Sequence, residues 1–134
     1  MQLLAWEERF SVGIREFDQH HKILFEMINS LIIAKEENSG PEVLKNTLEQ
    51  LHNYTIFHFA AEESMMEYFN CPGLEEHQVE HQELLADVQK YRDKFAQHEL
   101  VEIDEVLNFV AGWWLDHTLG QDMLYGPYLK GKGD

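Results

Sequence analysis

Positive charge is scarce in this 134-residue sequence: ten lysines and arginines stand against 25 aspartates and glutamates, for a formal net charge of −15. That balance argues against nucleic acid and anionic membrane surfaces as partners. Cysteine is nearly absent. The single Cys71 cannot close an internal disulfide, and within Asn70-Cys71-Pro72-Gly73 it reads as a loop residue with no chemical role. No apolar run approaches the ~20 residues that span a bilayer, so no membrane insertion is expected. The opening MQLLAWEERF reaches charge after six positions, which does not fit a secretory signal. The expected compartment is therefore the cytoplasm, and no signalling output domain is expected. Proline occurs at three positions: Pro41 and Pro72 at breaks between periodic stretches, and Pro127, with Gly126, beyond the last of them.

What remains is a chain able to fold. At 44% hydrophobic and 12% aromatic residues it has a globular composition. Its length predicts one domain, residues 1–134, burying roughly two-thirds of its unfolded surface. Acidic runs such as Glu36-Glu37 and Glu75-Glu76 read as solvated surface.

Four stretches repeat apolar residues at alternating steps of three and four, the inward stripe of an amphipathic helix. They are His21, Leu24, Ile28, Leu31; then Leu44, Leu48, Leu51, Thr55, His58, Glu62, Met65, Phe69; then Leu74, His77, His81, Leu84, Val88, Tyr91, Phe95; then Ile103, Val106, Val110, Trp113, His117. An arm of residues 1–17 precedes them, carrying Trp6, Phe10, Val12, Ile14 and Phe17 without a helical period. Helix one is expected from Asp18, as N-cap, to about Asn38, and helix two from Pro41 to about Phe69. Helix three is expected from Leu74 to Gln97 and helix four from Ile103 to Leu119, followed by a short tail, 121–134. The connections are short, so neighbours should run antiparallel, giving an all-α, up-down-up-down four-helix bundle around 18–120.

Each stripe carries histidine, and one carries a glutamate. A buried carboxylate without a partner costs several kcal/mol, so it calls for a cation or a full hydrogen-bond set. His58 and Glu62 lie four apart on one face, and His77 and His81 repeat that spacing. His21 and His117 come from the other two helices. Asp122 lies about 140° from His117 on a regular helix and can turn inward only where the helix ends or distorts, which Gly120 permits. His20, His52 and His98 lack such partners and read as surface residues.

Five histidines and two carboxylates exceed a tetrahedral zinc site and suit a two-metal centre of imidazole- and carboxylate-liking transition metals. Two six-coordinate irons offer twelve positions. Five histidines, two bridging carboxylates and one bridging oxygen take eleven, leaving one open for a small molecule.

Trp6 with Ser11-Val12-Gly13-Ile14 is followed by Phe17-Asp18-Gln19-His20-His21. Further on come His58-Phe59-Ala60-Ala61-Glu62-Glu63, His77-Gln78-Val79-Glu80-His81, Trp113-Trp114-Leu115-Asp116-His117, Asp122 and Tyr125-Gly126. Through these motifs nearly the whole chain resembles a hemerythrin, specifically a single-domain bacteriohemerythrin. The resemblance implies two non-haem, oxo- or hydroxo-bridged iron ions. It places one on His77, His81 and His117 and the other on His21 and His58, with Glu62 and Asp122 bridging. It implies reversible binding of dioxygen at the two-histidine iron, for storage or delivery, and binding of anions such as azide in the oxidised form. The implied oxygen pocket is Leu24, Phe59, Trp113, Trp114, Leu119 and Tyr125. Trp114 stands where the family pattern usually has leucine, and its larger indole could narrow the oxygen path.

Two enzyme classes share part of the pattern. A ferritin-like di-iron oxidase uses two Glu-x-x-His motifs, and here only Glu49 to His52 fits. A zinc protease could use His77-Gln78-Val79-Glu80-His81, which leaves His21, His58, Glu62 and His117 unexplained. The expectation is a binder and not an enzyme. Sensing of oxygen, redox state or nitric oxide through a partner, and peroxide or nitric oxide turnover, remain the alternatives. An oxygen-consuming or redox protein is the expected kind of partner.

Overall fold

A computed structural model describes residues 3–129. The first two residues of the expected arm and residues 130–134 of the expected tail lie outside the described residues. Four long helices make up the bundle: α1, Arg15–Glu36; α2, Pro41–Tyr68; α3, Leu74–Ala96; α4, Ile103–Leu119. They pack in sequence order, with α1 against both α2 and α4 and α2 against α3. The short connections 37–40, 69–73 and 97–102 leave each helix room only to double back on the last.

The helix ends follow local chemistry. Pro41 opens α2 behind Gly40. Asn38, Asn70 and His98 take the left-handed conformation just beyond α1, α2 and α3, at φ of 55°, 53° and 56°. Their own or the next backbone N–H returns to the last helical turn. His98 therefore helps close α3, and it is exposed as expected.

Two boundaries differ from expectation. α1 begins at Arg15, so Asp18 is not its N-cap. Asp18 sits in the first turn and reaches back to the arm, accepting from the Ser11 hydroxyl at 2.5 Å and the Val12 N–H at 2.8 Å. The arm is thereby tied down, with Phe10, Val12, Ile14 and Phe17 all buried. The start of the expected tail is a fifth helix, α5, Gln121–Leu129. Gly126 lets α5 approach the arm, because a Cβ there would fall 2.5 Å from the Val12 carbonyl oxygen.

The core divides in two. The larger part fills the bundle from Leu24, Ile28 and Leu31 across to Val106, Val110 and Trp114. A smaller one, Val12, Ile14, Phe17, Met66, Cys71, Tyr125 and Leu129, packs α5 and the arm over one end. Among the described residues no helix is long and apolar enough to cross a membrane.

Candidate metal centre

Seven ionisable side chains converge where these two parts of the core meet. His21 comes from α1, His58 and Glu62 from α2, His77 and His81 from α3, His117 from α4 and Asp122 from α5. All are buried. The i, i+4 spacing puts His58 beside Glu62 and His77 beside His81. Asp122 arrives differently. Gly120, at φ −99° and ψ −90°, leaves helical geometry after α4, and Asp122 turns inward in the first turn of α5.

The two carboxylates divide their oxygens. Glu62 Oε2 lies 3.4 Å from His21 Nε2 and 3.2 Å from His58 Nε2, while its Oε1 lies 3.4 Å from His77 Nε2 and 3.3 Å from His81 Nε2. Asp122 Oδ2 lies 3.1 Å from His21 Nε2, while its Oδ1 lies 2.9 Å from His77 Nε2 and 3.0 Å from His117 Nε2. Two clusters result, His21 and His58 on one side and His77, His81 and His117 on the other, with both carboxylates common to the two. Within each cluster, one ligand atom per residue lies within 4.8 Å of every other.

These short distances do not amount to a satisfied hydrogen-bond network. Among the described residues, Glu62 Oε1, both oxygens of Asp122 and His77 Nε2 are buried without a hydrogen-bond partner. Such orphaned charge is costly unless a cation stands between the groups. The donor set, imidazole with carboxylate, suits a first-row transition metal on each side. The electrostatics agree. Burial opposes charge on His21, but Asp122 and Glu62 outweigh it and raise its pKa to about 10. His77 is raised to about 10 by the same two carboxylates against the same penalty. Burial would push Glu62 and Asp122 up, yet the surrounding imidazoles hold both below the usual carboxylate range. Each carboxylate is poised to stay ionised and to share a positive partner.

Around this centre Tyr125, fully buried, donates its hydroxyl to Glu62 Oε2. Burial and then the two carboxylates keep that phenol protonated. Phe59 stacks on His81, centroids 3.6 Å apart and rings 2° from parallel, and Trp113 stacks on His117 at 4.3 Å. Trp114, 1% exposed, packs its indole 5.9 Å from the His58 ring and 6.4 Å from His21. Leu24 is buried in the same core cluster. Leu119 does not close the wall as expected. It is 37% exposed, because α4 ends there and the chain turns away at Gly120.

Two histidines expected at the surface are buried: His20, 6% exposed, and His52, 8%. The buried arc of α1 is wider than one stripe, since it packs on both α2 and α4, and it takes in Phe17 and His20 beside His21 and Leu24. On α2, His52 flanks Leu48 and Thr55 and meets Arg92 of α3 at 3.3 Å. Three supporting groups have no spacing signal of their own. Glu63 Oε2 lies 2.7 Å from His81 Nδ1, Glu80 Oε1 lies 2.9 Å from His117 Nδ1, and His20 Nδ1 lies 2.8 Å from His58 Nδ1. The only trace of the two acids in the sequence is that each adjoins a stripe residue, Glu62 or His81.

The hemerythrin HHE cation binding domain model matches residues 12–129. The chain belongs to the hemerythrin family. It is 32% identical to a bacteriohemerythrin of Methylococcus capsulatus over 97% of this chain and 99% of that one. It is 31% identical to a bacteriohemerythrin of Stenotrophomonas maltophilia, over 97% of this chain and 84% of that one. A wild-type hemerythrin crystal structure superposes with a TM-score of 0.89 at 27% identity, covering 97% of this chain and all of that one. The four-helix hemerythrin bundle and a histidine–carboxylate cluster able to hold metal are thus common ground between sequence and structure.

Proposed function

We propose that this hemerythrin binds dioxygen reversibly at a pair of non-haem iron ions, for storage or delivery, and is a binder and not an enzyme. The observation that carries this reading is the division of Glu62 and Asp122, one oxygen of each facing His21 and the other facing His77. A single cation on the three-histidine side would leave Asp122 Oδ2 orphaned, and one on the two-histidine side would leave Asp122 Oδ1 and Glu62 Oε1 orphaned. In this reading His77, His81 and His117 would hold one ion and His21 and His58 the other, with Glu62 and Asp122 available to both. Such irons would supply the redox chemistry that reversible dioxygen binding requires.

The chain's own part is to orient and to exclude. Tyr125 anchors one oxygen of Glu62 by hydrogen bonding. Glu63 and Glu80 fix His81 and His117 with Nε2 turned inward, so the proton stays on Nδ1. Trp114, Phe59 and Leu24 line the interior with hydrocarbon and keep out the water and protons that would make oxygen binding irreversible. Small anions such as azide would bind the oxidised protein on the two-histidine side, and an oxygen-consuming or redox protein is the proposed recipient.

Elemental analysis of protein made with ample iron, paired with a visible spectrum before and after air reaches the reduced form, tests this. The expected result is two irons per chain and new visible absorption that fades under vacuum. One zinc and no iron overturns the reading. Absorption that never reverses favours turnover of peroxide or nitric oxide.

A further inference from the structure

The imidazoles of the centre are not equally supported. On the three-histidine side His81 and His117 each set Nδ1 against a carboxylate, Glu63 and Glu80. On the two-histidine side His21 Nδ1 has no partner among the described residues, and His58 Nδ1 meets another histidine, His20, at 2.8 Å.

The His20–His58 contact has one consistent assignment once a cation is present. His58 Nε2 faces the centre, 3.0 Å from His21 Nε2 and 3.2 Å from Glu62 Oε2. If it gives its lone pair to a metal, the ring proton must sit on Nδ1. His20 Nδ1 must then accept, so His20 carries its own proton on Nε2, the nitrogen turned toward Glu16 Oε1 at 3.8 Å. A doubly protonated His20 would set two N–H groups against each other. The His20 ring is held for this task by Phe17, Phe57 and Tyr54, with centroids at 5.7, 5.2 and 6.0 Å. As a neutral acceptor, His20 draws less charge through the His58 ring than a carboxylate would, leaving that imidazole the weaker metal donor.

We infer that His20 is a positioning residue for His58, and that its neutral hydrogen bond tunes how firmly the two-histidine cation position holds its metal. This rests on the two-metal reading above.

Protein loaded with cobalt(II) and then challenged with a chelator, ethylenediaminetetraacetate, tests the inference by the time course of metal loss. The parent should release one ion ahead of the other. His20→Leu, which cannot accept, should speed the first release at least about tenfold, the lower end of the usual effect of removing such a partner. His20→Gln, whose amide oxygen can accept, should stay within about threefold of the parent. The slower ion should leave at the parental rate in both. A His20→Leu protein that keeps helix content but binds a single ion also supports the inference. A first phase unchanged in His20→Leu, failure of His20→Gln to restore it, or equal acceleration of both phases overturns it. A parent that never binds two ions overturns the two-metal reading instead.

Discussion

Trp114→Leu probes the wall of the centre beside the two-histidine side. The indole is 1% exposed and packs against Phe59, Trp113 and the rings of His21, His58 and His117. Leucine is smaller by about 60 Å³, and at ~24 cal/mol per Å³ an unrelaxed void of that size costs about 1.5 kcal/mol. Lost apolar contact brings the total to about 2–3 kcal/mol. Trp114 also borders a small gap lined by Leu51, Thr55, Leu84 and Val110, onto which the new void would open. The new space adjoins the two-histidine side, where the vacancy is proposed. Azide should therefore bind the diferric protein at least several-fold faster, and the oxygenated form should autoxidise faster as water gains entry. Stopped-flow azide binding, decay of the oxygenated spectrum and denaturant unfolding measure the three effects. If both rates match the parent while stability falls, Trp114 is ordinary core and its position over the histidines has no bearing on access.

Two further outcomes follow from the same geometry. His77→Ala or His117→Ala should lower metal content and the melting temperature of the loaded protein, because carboxylate oxygens lose a buried partner. His98→Ala should leave metal content unchanged; elemental analysis and thermal melts separate the two cases. The metal-free protein should lose stability with rising pH. His21 and His77, raised to about 10, contribute stability that is full below an unfolded pKa near 6.5 and is lost toward pH 10. Glu62 and Asp122 are lowered, so their contribution is present above about pH 4 and lost in acid. Burial lowers His20, His52 and His58, so these imidazoles cost stability as pH falls below about 6.5. The apoprotein should thus melt highest near pH 6.5 and lower at pH 9, whereas the loaded protein, whose ligands are already deprotonated, should not show the fall toward pH 9.

The periodic part of the structure is legible in the sequence. The stripes place α2, α3 and α4 within a residue or so of their ends, and the spacings His58–Glu62 and His77–His81 put those pairs on common faces that the bundle then brings together. Asp122 is legible for a local reason, the glycine that frees the chain after α4. What the stripes miss is set by neighbours. His20 and His52 sit one residue from a stripe position, and their burial depends on how wide an arc α1 and α2 present to more than one partner. Glu63 and Glu80 are two acids among 25, chosen only by which imidazole comes opposite. α5 has no amphipathic period long enough to announce it, and its helix exists because the arm and Glu62 hold it in place.

That last dependence says how the centre and the fold hold each other. α5 spans only Gln121–Leu129, too short to be stable in isolation. Its ties run through the carboxylates. Tyr125 donates to Glu62, Asp122 reaches His21, His77 and His117, and Gly126 lies against Val12, whose N–H is held by Asp18 of α1. A continuous chain of contacts therefore joins the arm, α1, α5 and the metal-binding carboxylates. In the two-metal reading an ion on either side would draw on both Glu62 and Asp122, so it would stiffen the ligands of the other side before that side is filled. The same sharing makes the empty state poor, since two buried carboxylates are then left facing protons instead of metal. In the two-metal reading, folding of α5 and loading of the centre are one cooperative event.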